Sequence, residues 1–231
     1  MEALGRPRAS KVPTGSVEAY WHMGVVTPAV RKVARRFSRQ FGSLTWQEQT
    51  EAVFSLLEYG SDEAAHLAVF LLGRTVDSIE SVAADVLGSM VERFRGWSVT
   101  DAFCIEVLQP LLERYPAAVL SMTTHWATAA SRWKRRASVV IFTRKVGASG
   151  RYTQEGLRAA DRLADDADDL VRKGVGWALK DLMRGERETV LQYVADLRRR
   201  GVTSVITLYA LRDVRGHDRQ RVLAIKPSSA T

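Results

Sequence analysis

Thr27-Pro-Ala-Val-Arg-Lys-Val-Ala-Arg-Arg-Phe-Ser-Arg-Gln-Phe41 decides the fold. Its apolar residues Val30, Val33, Ala34, Phe37 and Phe41 recur at spacings of three and four, the period of one helix face, with basic or polar residues between them. Thr27 before Pro28 reads as an N-cap followed by proline at the first helical position, where the missing N–H has no partner to lose. The rhythm continues in Val53, Leu56 and Leu57, and strand-like alternation is hard to find anywhere. Ser61-Asp-Glu63 and Ser98-x-x-Asp101 read as further helix starts, Gly42, Gly60, Gly73, Gly147, Gly185 and Gly201 stand near segment ends, and Tyr115-Pro116 breaks another segment. The pattern predicts helices over 16–22, 28–41, 45–59, 62–73, 76–94, 99–114, 116–127, 131–146, 153–165, 168–184, 187–200 and 203–211.

The composition agrees. Of 231 residues, 46% are hydrophobic and 26% charged, which excludes a disordered chain. Only 16 glycines and 6 prolines leave little turn material for a many-stranded β fold, so an all-α protein is favoured. Residues 1–15, with Gly5, Pro7, Pro13 and Gly15, read as a flexible leader, 16–214 as the helical domain, and 215–231 as a basic tail carrying Arg215, Arg219 and Arg221. One cysteine, Cys104, allows neither an internal disulfide nor a cysteine-built zinc site, and His22, His66, His125 and His217 form no metal-binding pair. We therefore expect no metal and no cofactor, and a reducing cytoplasm as the location. The longest apolar runs, such as Ala68–Leu72 and Val139–Phe142, fall far short of the roughly 18–20 residues of a membrane span, and the first residues lack a signal-peptide core.

Short helices with tight links describe a solenoid better than a bundle. Arg135-Arg-Ala137 and Arg172-Lys-Gly174 each set a basic pair before a small residue and an apolar helix, 37 residues apart, near the roughly 40-residue period of HEAT-type repeats. The expected architecture is a HEAT-like α-solenoid with a concave basic groove, a surface that suits an extended ligand.

Three constellations could carry chemistry. In Trp97-Ser-Val-Thr-Asp101 a helix would put the indole and the carboxylate on one face. The bland alternative is an acidic capping box, Ser98 with Asp101, in which Trp97 is the hydrophobic staple. The two are compatible, since an aspartate in a first turn is held ionised by the positive helix end, and an anion beside an aromatic face suits a developing cation. In Ser131-Arg-Trp133-Lys-Arg135-Arg136 the basic run is either a solvated face around a packed indole or an anion site, because cations at a helix start oppose its dipole unless an anion offsets them. In Leu170-Val-Arg-Lys173-Gly-Val-Gly176-Trp177, two glycines in a helix interior each cost about 1 kcal/mol, so either a neighbouring helix or a ligand must come very close. For Trp177 alone, a place in the core is the plainer reading. The acidic run Asp165–Asp169 reads as a helix entrance, not a calcium loop. Positions 97 and 101, 136 and 177 are spaced by about one repeat, so a carboxylate, an arginine and two indoles could converge from equivalent helices.

As a set these residues resemble the AlkD-like DNA alkylation-repair glycosylases. The likeness spans about 18–212 and is strongest in Trp133-Lys-Arg-Arg136-Ala-Ser-Val-Val and Leu170-Val-Arg-Lys-Gly-Val-Gly-Trp177-Ala-Leu-Lys. Trp97-x-x-x-Asp101 looks like the family's Trp/Asp pair, and Met23-Gly-Val-Val-Thr-Pro28-x-x-Arg31 is similar to its N-terminal segment. The resemblance implies a monomer that binds alkylated double-stranded DNA and hydrolyses the N-glycosidic bond of cationic purines such as 3-methyladenine and 7-methylguanine. By matching position it makes Asp101 the catalytic carboxylate, Trp97 and Trp177 the aromatic walls, and Arg136, with Arg135 and Lys173, phosphate ligands. Ser98 departs from the acidic residue common after the first tryptophan. The net charge of +8 suits phosphate binding. Two other readings stay open: a non-catalytic binder of damaged or structured DNA with the same fold, and a helical-repeat scaffold for a protein partner, which should show an apolar stripe in place of Arg and Lys.

Overall fold

Side-chain caps fix where several of the helices begin. Thr45 forms a full capping box with Glu48, Ser61 Oγ accepts from Ala64 N–H at 3.1 Å, and Asp168 accepts from Leu170 N–H at 2.8 Å. These caps are seen in a computed structural model that describes residues 19–79 and 82–227; the expected leader, 1–15, lies outside them. Among the described residues there is no strand, only one isolated bridge between Trp21 and Ser61. The chain packs as two compact units, one ending at Val119 and the other beginning at Leu120.

The first unit holds α1 (Thr27–Gly42), α2 (Trp46–Glu58), α3 (Asp62–Arg74), α4 (Ala84–Glu92), α5 (Trp97–Phe103) and α6 (Gln109–Arg114). Helix α3 is its axis: α1, α2 and α5 all pack on it, and Ala64, Ala65, Ala68, Val69, Phe70, Leu71 and Leu72 are buried. Three expectations change here. The helix expected over 16–22 is, from 19 onward, extended chain. Trp21 pairs with the backbone of Gly60 and Asp62, and the buried Glu63 carboxylate accepts from the N–H groups of Met23, Gly24 and Val25 at 2.9, 2.9 and 3.2 Å. Three amides aimed at one carboxylate outweigh a marginal local helix. The helix expected over 76–94 is a 3₁₀ turn, Val76–Ser78, then α4. The run expected over 99–114 holds a π segment, Cys104–Leu108, between α5 and α6, next to Pro110, which can donate no N–H to the ladder. Gly73 admits this bulge, since a Cβ there would lie 2.8 Å from the Glu106 carbonyl oxygen.

After α7 (Pro116–Trp126), the second unit holds α8 (Arg132–Val140), α9 (Arg144–Ala148), α10 (Thr153–Arg162), α11 (Asp169–Leu182), α12 (Arg187–Arg199), α13 (Ser204–Ala210) and α14 (Gly216–Leu223). Here α11 is the axis, touching α8, α9, α10, α12 and α13, with Val171, Val175, Ala178, Leu179 and Leu182 buried. The helix expected over 131–146 stops at Val140 and restarts at Arg144, whose φ is 53°. The segment expected as a tail, 215–231, carries helix α14, packed on α12 through Val222; its last four residues lie outside the description.

Candidate functional site

Trp97 is the first residue of α5 and Asp101 follows one turn on, so indole and carboxylate share a helix face as the spacing requires. Their surroundings differ. Trp97 is 54% exposed, whereas Asp101 is 7% exposed, between the fully buried Thr100 and Phe103. The expected capping box does not form. The N-cap is Gly96 with no side-chain bond, Asp101 lies in the second turn, and Ser98 Oγ instead donates to Asp62 Oδ1 at 3.2 Å. The positive helix end therefore acts on Asp101 less than a first-turn position would allow. Asp62 is held below the usual carboxylate range: burial opposes its charge, but bonds from His66 and Ser98 outweigh that.

In the second unit the two charged runs meet each other. Arg135 clasps Asp166 through Nε at 2.6 Å and Nη2 at 3.3 Å, and its Nη1 donates to the carbonyls of Ala129 and Ala130. Arg132 pairs with Asp168 at 3.1 Å, and Arg172 Nε donates to the Asp166 carbonyl. The anion that offsets the basic entrance of α8 is thus supplied by the protein itself, and Trp133 is packed and buried as the plainer reading had it. This ties Arg135 into the fold, and the Asp166 bond raises its pKa further. Arg136 is buried; its Nη1 donates to the Leu170 carbonyl at the start of α11. Lys173 is exposed on α11.

Both helix-interior glycines on α11 answer to neighbouring helices. A Cβ at Gly174 would lie 3.2 Å from Val140 Cγ2 and 3.4 Å from Arg136 Nη1, and one at Gly176 would lie 2.6 Å from Tyr209 Cβ and 3.0 Å from the Ile206 carbonyl. Close helix approach accounts for them without a ligand. Trp177 is half-buried, and the Arg144 guanidinium carbon stands 5.6 Å from its ring centroid, within cation–π range. Sequence reasoning missed Arg144. Its left-handed backbone costs about 1–2 kcal/mol for an L residue and is fixed by Asp181, buried one turn beyond Trp177, whose Oδ2 accepts the Arg144 N–H at 2.7 Å. No local pattern marks an arginine for that conformation; Asp181, at four residues from a suspected site tryptophan, was the available signal.

Trp97 and Asp101 thus lie together in the first unit, and Arg136, Lys173 and Trp177 in the second. Among the described residues no group of His, Cys, Asp and Glu is arranged to hold a metal ion, and no helix is long and apolar enough to cross a membrane.

An all-α helical-repeat chain with these residues has known counterparts. The family model of the DNA alkylation repair enzyme matches residues 15–214, and the chain belongs to that family. Its role is therefore in the repair of alkylated DNA, with DNA as the substrate. A solved structure from Enterococcus faecalis, titled a predicted DNA alkylation repair enzyme, is similar with a TM-score of 0.71 at 10% identity, covering 84% of this chain and 89% of that one. At that identity the likeness shows the shared fold alone. No curated protein sequence matches the chain.

Proposed function

We propose that the protein is a DNA glycosylase that hydrolyses the N-glycosidic bond of cationic alkylated purines, 3-methyladenine and 7-methylguanine, in duplex DNA. The observation that carries this reading is a buried carboxylate, Asp101, one helical turn from a half-exposed indole, Trp97, in a member of this repair family. Alkylation already places a positive charge on the purine, so the leaving group needs no strong general acid. The bond from C1′ to the purine nitrogen breaks, its electron pair neutralises the base, and water adds to C1′. Asp101 stabilises the positive sugar and takes the proton of that water. Trp97 and Trp177, each within its own unit, are assigned as indole faces that favour a cationic base by about 0.5–2 kcal/mol over a neutral one. Arg136, with Arg135 and Lys173, is assigned to backbone phosphates.

The test is release of methylated base from a 7-methylguanine duplex by wild type and by Asp101→Asn. The expected loss is at least about 100-fold, the usual effect of removing a preorganised electrostatic stabiliser. Equal release by the two proteins refutes the role of Asp101. No release by wild type, together with tight binding of the lesion duplex, supports the non-catalytic reading instead.

A further inference from the structure

We propose that Arg144 is a DNA-phosphate ligand that occupies the Trp177 indole when no DNA is bound, so that gripping the backbone and uncovering the ring are one event. The inference rests on the reading of Trp177 as a wall for a cationic base.

Arg144 is the one non-glycine residue with positive φ among the described residues. Glycine would sit there without strain, yet the chain carries its longest cationic side chain. The backbone has two anchors on α11. Asp181 Oδ2 accepts the Arg144 N–H at 2.7 Å, and at Gly147 a Cβ would stand 3.0 Å from both Asp181 C and Leu182 N, so α9 lies against α11 with no room to slide. Since Asp181 follows Trp177 by one turn, these anchors deliver the guanidinium to the indole.

The guanidinium itself is uncommitted. Asp181 Oδ1 faces Lys180 Nζ at 3.2 Å and Arg184 Nη1 at 3.4 Å, not Arg144. Arg135, Arg184, Arg187 and Arg200 in the same unit each have a carboxylate partner, whereas among the described residues none lies within ion-pair distance of the exposed Arg144. Its present contact, a cation over an open ring, is weaker than a charge-assisted bond from guanidinium to phosphate. A phosphate brought within reach therefore draws Arg144 off the ring, and the vacated face is free for a cationic base. Until then the protein's own cation holds the place and keeps other cations out.

The experiment uses the full chain as wild type, Arg144→Gln and Arg144→Gly, the last of which relieves the backbone strain and keeps the fold. Unmodified duplex is titrated between 50 and 200 mM salt, on the order of the range over which phosphate contacts show. The nucleoside 7-methylguanosine is titrated while the indole N–H signal of Trp177 is followed, assigned through Trp177→Phe. We expect both variants to bind duplex more weakly, with a salt slope shallower by about one unit, and to bind the nucleoside about two- to five-fold more tightly. An unchanged slope, or nucleoside affinity equal to or below that of wild type, overturns the inference. Neither readout needs base release, so an inactive wild type sinks the glycosylase reading alone. A Trp177 signal that no protein moves on addition of nucleoside sinks both.

Discussion

Gly176→Ala is the sharpest test of how α11 is held. Alanine in a helix interior should gain about 1 kcal/mol over glycine, so propensity alone forecasts a more stable protein. The structure forecasts the reverse. The new Cβ would lie 2.6 Å from Tyr209 Cβ, against about 3.5–4.0 Å for an ordinary carbon contact, so α13 must retreat by about 1 Å. The neighbour offers no flexible tip, because the contacts are a Cβ and the Ile206 carbonyl oxygen, both fixed to the backbone of α13. Overpacking of this kind costs about 1–3 kcal/mol, and because both contacts are fixed to the backbone the cost falls at the upper end, leaving a net loss of about 2 kcal/mol after the propensity gain. For a chain of this length that lowers Tm by about 4–8 °C. Gly174→Ala is the control: its nearest neighbours are the side chains of Val140 and Arg136 at 3.2 and 3.4 Å, which can yield by tenths of an ångström, so its expected Tm lies within about 2 °C of wild type. Thermal unfolding of both variants, followed by circular dichroism, decides the matter. A Gly176→Ala protein as stable as wild type would refute the packing account and reopen the ligand alternative for these glycines.

Two further outcomes follow from the first unit. Glu63→Gln replaces one acceptor oxygen by a donor facing the Met23 N–H and removes the charge that holds Gly24 and Val25; we expect a loss of about 1–3 kcal/mol in urea unfolding, and no change would mean that the hook at 23–25 is inert. His66 and Asp62 form an ion pair at 3.0 Å. Burial opposes the charge on His66, but its bonds to Asp62 outweigh that and hold its pKa above the ordinary value, while Asp62 is held below its own. The histidine's contribution is complete below about pH 6.5 and fades as pH rises through the folded-state value; the aspartate's is present above about pH 4 and fades in acid. His66→Gln should therefore cost more stability at pH 6 than at pH 9, and an equal cost at both would contradict the ion pair.

What the sequence discloses, and what it withholds, follows the range of the forces involved. Helices α1, α2 and α11 are legible because their apolar stripes lie within one segment, and the starts expected at 45 and 168 are the caps of α2 and α11, Thr45 and Asp168. Thr27, read as an N-cap, is instead the first residue of α1, whose N-cap Val26 makes no side-chain bond. The stretch at 19–22 is misread because the chain just after it is held by Glu63, some 40 residues away, whose carboxylate outweighs the local preference. The basic run at 132–136 reads alone as a solvated face or an anion site and the acidic run at 165–169 as a helix entrance, and only the fold shows that they neutralise one another, Arg135 reaching Asp166 across 31 residues. The Trp97–Asp101 spacing survives because four residues make a turn whatever caps the helix. Arg144 stays hidden, since its left-handed backbone is held by Asp181, 37 residues further along the chain.

The same pairing changes what the net charge of +8 can mean. Arg132, Arg135, Arg172, Arg184, Arg187, Arg199 and Arg200 each face an aspartate, so a phosphate would have to displace a carboxylate to reach them. Such an exchange swaps one anion for another and yields little of the counterion release that drives binding to DNA. Among the described residues, cations with no carboxylate within ion-pair distance include Lys32, Arg35, Arg36 and Arg39 on α1, and Arg144 and Lys173 beside or on α11. A helix whose first turn has no acidic residue, and a guanidinium resting on an indole, are where the surplus charge is available for work. The salt dependence on DNA is therefore expected to be shallower than 34 basic residues would suggest, since the paired arginines contribute little to it.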